Sequence, residues 1–316
     1  MEEFPMERPA TAEAAAWYRR ARLRAALRAL LARLTGQPNR LLSFEEVRAK
    51  LGLRGSAYRG LQRVPLAHII GSVNRYQDFD RAFLPIQRHT ADRWIAVGTV
   101  LFQDGHLPPV RLYKVGEAYF VLDGHHRISV ARALGWTEIE AEVIEVQSRV
   151  PIGPELRAED LEILREYEEF LEQTQLDRLR PEADIRFTIA GGYQRLLEHI
   201  AVHRYFIGLE TGREIPADEA VAHWYDTVYR PVVEVIREHR LLEDFPGRTE
   251  ADLYLWIMDH LYYLREAYGP EVDAEAAALD YAGQFTEHPI RRFLSEVRRA
   301  VEALGTLPPL ETEPKV

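Results

Sequence analysis

Tyr119-Phe120-Val121-Leu122-Asp123-Gly124-His125-His126-Arg127-Ile128-Ser129-Val130-Ala131 is the stretch from which the rest of the chain is read. A short apolar strand runs into Asp-Gly, and a helical pattern begins at once with His, His and Arg in its first turn. The first turn of a helix has backbone N–H groups with no intrahelical acceptor, and the macrodipole is positive there. A guanidinium beside that end makes the corner an anion site, with phosphate the expected anion. The same residues also admit a plain strand-to-helix connector at Gly124, with Arg127 paired to Glu138 or Glu140 on the surface.

Outward from this corner the pattern is α/β. Pro109 to Val115, a turn at Gly116-Glu117 and Ala118 to Leu122 form a hairpin. The helix from His125 stops near Gly135, and Glu138 to Val146 alternates as a strand. Upstream, Val64 to Ile70 reads as an edge strand, Gly71 to Pro85 as a polar loop and Thr90 to Phe102 as a helix. Beyond Pro151-Ile152-Gly153-Pro154 the strands cease. Helices are expected over about 158–177, 188–209, 216–239, 249–268, 273–283 and 288–304.

The chain opens differently. Thr11 is read as the N-cap of a helix that ends before Gly36. Leu23, Leu27, Leu30, Leu31 and Leu34 share one face, and six arginines (Arg19, Arg20, Arg22, Arg24, Arg28 and Arg33) occupy the flanks and back. Residues 1–60 carry 12 Lys+Arg against 6 Asp+Glu, in a protein whose net charge is −10. The remainder is therefore net −16 and repels polyanions, so only this segment attracts one. The expectation is an Arg-rich helix whose stems cover its own leucines, with nucleic acid or an acidic partner as the alternative.

Composition removes several classes. There are no cysteines, hence no disulfide, thiolate metal site or cysteine nucleophile. No run of 18 apolar residues indicates a membrane span, and the N-terminus lacks a secretory leader pattern. A cytoplasmic location without membrane partners is the expectation. No Gly-Lys-Ser/Thr phosphate loop is present.

Gly124-His125-His126-Arg127 followed by Ala131 resembles the second box of the ParB N-terminal domain: a Gly, two variable residues, an Arg and a downstream Ala. Val64 to Ile70 is similar to the strand opening the first box, and Asn74-Arg75-Tyr76-Gln77-Asp78-Phe79-Asp80 to its polar loop. Gly105-His106-Leu107-Pro108-Pro109-Val110 is similar to the entry into the next strand. The resemblance covers about residues 61–147. It implies an α/β ParB/sulfiredoxin-like domain (61–150) between a basic helical arm (1–60) and an all-α domain (151–306), with a tail at 307–316. The Asp-Gly-His-His-Arg wording is closer to kinase-like and uncharacterised members than to ParB itself. Sulfiredoxin chemistry is excluded for want of a cysteine.

What the resemblance implies is a nucleotide, ATP or CTP with Mg²⁺, lying over this corner. Gly124 would allow close backbone approach, and Arg127 would clamp a phosphate. His125, His126 and Ser129 would line it. Arg75 would contribute from the first-box loop. Asp123 would cap the helix or hold the metal. Asp78 or Asp80 would take the proton of an acceptor hydroxyl if phosphoryl transfer occurs. The function expected is a phosphotransferase or NTPase acting on a small molecule, or a nucleotide-gated switch for a protein partner. The alternative is a ParB-like DNA-binding or nuclease protein.

Two features lie in the helical half. His199 and His203 share a helix face and, with Glu198, His223 and Asp226, compose a candidate metal set. The segment from Leu242 to Trp256 resembles a signature of a bacterial C-terminal domain of unknown function. There Thr249 is expected to cap a helix, and Arg248 either belongs to that loop or reaches the nucleotide site.

Overall fold

The computed structural model describes residues 9–36 and 38–285. The expected helix at 288–304 and the tail lie outside them. The chain divides into two compact units, Met1–Glu168 and Glu169–Val316.

The first unit is built on a mixed six-stranded sheet. In chain order its elements are α1 (Ala10–Thr35), β1 (Leu42–Ser43), α2 (Phe44–Lys50), β2 (Arg54–Pro65), β3 (Ile69–Ser72), α3 (Ala91–Asp104), β4 (Val110–Val115), β5 (Ala118–Asp123), α4 (His125–Ala133) and β6 (Glu138–Gln147). The strand order is β1-β3-β5-β4-β6-β2. β5 runs parallel to β3 and antiparallel to β4, and β4 runs parallel to β6. The hairpin, α4 and β6 thus stand where the sequence places them.

Burial explains the layering. Alternate residues of β4, β5 and β6 (Leu112, Tyr119, Val121, Ala141 and Val143) meet Ile128 and Ala131 of α4 in one core. On the other sheet face Phe44 of α2 stacks on Tyr113, with ring centroids 4.6 Å apart, and meets Phe120 edge-on. A second core forms where Trp94 and Leu101 of α3 meet Val130 and Ala133 of α4, with Ala21 and Ala25 of α1 on top.

Two expectations change at the chain's start. The segment 1–60 is not a separate arm: β1 pairs with β3, β2 pairs with β6, and α1 lies on the α3 core. The strand expected at Val64 begins at Arg54 and ends at Pro65; a turn over Leu66–His68 then separates it from β3. Moreover α1 packs inward through Ala14, Ala21 and Ala25, a face the sequence reading did not single out, and its leucines stay exposed where Arg stems were expected to cover them.

The second unit is helical: α5 (Leu161–Thr174) leads into it from the first, followed by α6 (Leu176–Leu179), α7 (Gly192–Thr211), α8 (Ala217–Trp224), α9 (Arg230–Glu238), α10 (Glu250–Tyr268) and α11 (Ala274–Phe285). Residues Tyr225–Tyr229 join α8 to α9 as one π-helical segment. Trp224, Tyr229 and Tyr254 pack around the centre of this unit. Among the described residues, no helix is long and apolar enough to cross a membrane.

Candidate anion-binding site

β3 and β5 are parallel neighbours, with Gly71 opposite Phe120 and Ser72 opposite Val121. Both strands therefore leave the sheet at the same edge. In open α/β sheets, ligands collect at the carboxyl ends of parallel strands. β3 ends here in Ser72 and the loop carrying Arg75 and Asp78; β5 ends in Asp123 and Gly124.

Gly124 turns the chain from strand to helix with φ 97° and ψ 21°. A Cβ at this position would lie 2.5 Å from Val110 Cγ1, so both the dihedral and the space demand glycine. No side chain caps α4. Its first-turn N–H groups consequently remain available, as the sequence implies.

His125 Nε2 and Ser72 Oγ are 2.7 Å apart, and the same hydroxyl accepts the Arg75 backbone N–H at 3.0 Å. The α4 N-terminus is thereby tied directly to the first-box loop. Phe79 lies against both histidines, stacked on His125 and edge-on to His126. His126 is buried, and its Nδ1 has no hydrogen-bond partner. Burial, then the positive charge of Arg75, pushes each imidazole down to about 4; His126 lowers His125 further, and Arg93 lowers His126. Both are neutral near pH 7.

Around them, Asp78 Oδ1 lies 3.1 Å from His89 Nε2, and Asp78 Oδ2 lies 3.7 Å from Arg75 Nη1. The structure thus gathers Arg75, Asp78, His125 and His126 at one corner. Sequence reasoning missed Ser72, His89 and Arg93. Ser72 was findable as the last residue of a strand parallel to β5. Nothing in the sequence signals that His89, in the turn before α3, and Arg93, in its first turn, come to this place.

The remaining expected residues have other work. Arg127 donates through Nη1 to the carbonyls of Pro108 and Pro109, at 3.1 and 2.5 Å, and through Nη2 to Asp123 at 2.6 Å. Its partner is neither Glu138 nor Glu140. Asp123 does not cap α4; its carboxylate is occupied by Arg127. Ser129 is fully buried and accepts the Trp94 indole N–H at 2.9 Å, so it fastens α3 to α4 and does not line the corner. Asp80 is also misplaced for catalysis. It is buried, its Oδ1 accepts from the backbone N–H groups of Ala82 and Leu84, and Arg28 donates to its Oδ2. Burial raises this carboxyl above its ordinary range against the pull of those donors. It holds the 80–84 turn, where Phe83 adopts φ 55°.

In the helical unit the expected metal set does not converge. His203 Nε2 and His223 Nδ1 are 2.9 Å apart, but His199 Nδ1 is 3.2 Å from Tyr254 Oη and Asp226 is paired with Arg180. Among the described residues no cluster of three or more His, Cys, Asp or Glu suits a metal ion. Thr249 caps α10 in a reciprocal box with Asp252. Arg248 donates to Thr188 Oγ1 and lies over the Trp256 ring, within this unit.

Residues 193–285 match a domain of unknown function, DUF4032. The span includes all of the expected signature at 242–256 and none of the α/β unit. No curated protein matches the chain. Among solved structures, one similar chain is the C2221 form of a Pnob8-like ParB-N domain. It is 12% identical, the match covers 77% of this chain and 99% of that one, and the TM-score is 0.19. That superposition is too poor to bear on the site.

Proposed function

We propose that the β3–β5 corner binds the phosphates of a nucleotide, ATP or CTP. One observation carries this reading: His126 is buried with an unpartnered Nδ1, in the first turn of a helix with no side-chain cap and within the field of Arg75. A buried polar atom without a partner costs about 1–3 kcal/mol, and an arriving phosphate oxygen removes that cost once the imidazole carries a proton there. Arg75, half-exposed and held by a 3.7 Å ion pair with Asp78 and its own backbone bond, is the cation placed to meet the phosphates. Arg127 is a positioning residue that fixes the turn through the Pro108 and Pro109 carbonyls.

Binding is favoured over phosphoryl transfer. Of the two carboxylates assigned to proton transfer, Asp80 is consumed by its own turn, and Asp78 is paired with Arg75. The nucleotide would therefore act first as a switch for a partner, with Asp78 the single candidate base in any enzymatic version. Mg²⁺ fits only as a companion of the phosphates. Asp123 would reach it by releasing Arg127, and an ion held by one carboxylate plus phosphates is ordinary for magnesium. The DNA-binding alternative loses ground because Arg22, Arg24 and Arg28 of α1 are spent on the chain itself.

Calorimetric titration with ATP, CTP, GTP and ADP in the presence of Mg²⁺ tests this. Micromolar binding to at least one nucleotide is expected, weakened at least tenfold (about 1.4 kcal/mol) in Arg75→Ala. Absence of binding to all four refutes it.

A further inference from the structure

Helix α1 is apolar on two opposite sides. Ala14, Ala21 and Ala25 face the α3 core. Arg22 donates to Ile86 O at 2.7 Å, Arg24 to Ala133 O at 3.4 Å and Arg28 to the Asp80 carboxylate at 3.3 Å. These bonds fix the helix in its rotation. The other side therefore faces away from the α3 core and is exposed. It displays Leu23, Leu27, Leu30, Leu31 and Leu34, each between 54% and 75% exposed. Isolated exposed leucines need no explanation, but five in one stripe on a rigid helix mark an interaction surface.

Spacing and charge say what covers it. Leu23, Leu27, Leu30 and Leu34 recur at intervals of four, three and four, the seam that a second helix fills. At 1.5 Å per residue the stripe is about 17 Å long, enough for roughly three turns of a partner helix. Its rim is basic: Arg19 and Arg33 flank one side and Arg20 the other, next to Arg24, which is bonded to Ala133 O, while Glu13 is the only acidic residue of α1. A second copy of α1 would bring arginine against arginine. A nucleic acid would meet the arginines but leave the leucines in water. We infer that α1 is a docking site for an acidic amphipathic helix of a partner protein, its leucine seam covered by the partner's apolar face and its arginines by flanking carboxylates.

The probes are two synthetic 21-residue helical peptides with leucine at the seam positions. One carries glutamate at the flanking positions and the other lysine. Fluorescence anisotropy with the full chain is expected to show the glutamate peptide binding at least tenfold tighter than the lysine peptide. Leu27→Glu/Leu30→Glu should abolish binding, with the circular dichroism spectrum and melting temperature unchanged because both side chains are exposed. Arg19→Glu/Arg33→Glu should reverse the preference towards the lysine peptide. Equal affinity for both peptides, binding that survives the leucine substitutions, or leucine-dependent self-association of the chain in sedimentation equilibrium would each overturn the inference.

Discussion

Replacing His126 by phenylalanine should make the corner more acid-resistant while disabling it. His126 is neutral in the fold because its pKa lies near 4, against 6.5 for an ordinary histidine. Since the folded value is the lower one, stability is lost as pH falls from about 6.5 towards about 4, where the unfolded chain takes up a proton and the fold does not. For one such histidine the loss is about 0.2 kcal/mol at pH 7 and about 2 kcal/mol at pH 5. His125 contributes a similar term, so wild type should lose roughly 3–4 kcal/mol between those pH values from this pair. His126→Phe removes one of the two terms and also the unpartnered Nδ1, whose burial costs about 1–3 kcal/mol. The larger ring takes back about 1–3 kcal/mol in overpacking against Phe79, which offsets that gain. The variant should then match wild type at pH 7 and be about 2 kcal/mol more stable at pH 5. Hydrogen exchange of amides in residues 118–133, corrected for intrinsic rates, reads this locally in a two-unit chain. An acid loss equal to that of wild type would refute the assignment of His126 as a buried neutral group.

Further outcomes follow from the same geometry. Gly124→Ala combines a left-handed dihedral with a 2.5 Å clash on Val110; it should cost roughly 2–4 kcal/mol in the α/β unit, seen as lost exchange protection in β5 and α4. Ser129→Ala strands the buried Trp94 N–H and should cost about 1–3 kcal/mol, yet leave nucleotide affinity within twofold by calorimetry. Asp80→Ala removes the acceptor for two backbone N–H groups and the partner of Arg28; a loss of about 2–4 kcal/mol and faster proteolysis within residues 80–84 are expected.

The corner was legible because its signals are local and agree. An apolar run, an Asp-Gly dipeptide and a helical period meet within a dozen residues, and the backbone follows them. β2 was not legible before Val64. Its first residues, Arg54 to Gln62, are mostly exposed and include two glycines, so no alternation announces a strand. For α1 the helix was plain but its orientation was not. Two apolar faces compete, and the larger leucine stripe masks the alanine face that permits close approach to α3. Side-chain duty was least readable of all. Arginine can serve a phosphate or a backbone carbonyl equally well. Arg81, Arg127 and Arg132 all bond carbonyl oxygens, which only the folded loops bring to them. The carboxylates divide in the same way, since Asp78 and Asp80 are two residues apart and face different surroundings.

The central claim, that His126 awaits a phosphate oxygen, is best tested by the ¹⁵N resonances of its imidazole with and without saturating Mg²⁺–nucleotide. Without nucleotide the ring should titrate near pH 4. With nucleotide its apparent pKa should rise by more than one unit, as Nδ1 gains a proton shared with the phosphate, and the rise should disappear in Arg75→Ala. A ring whose titration is untouched by every nucleotide would contradict the account.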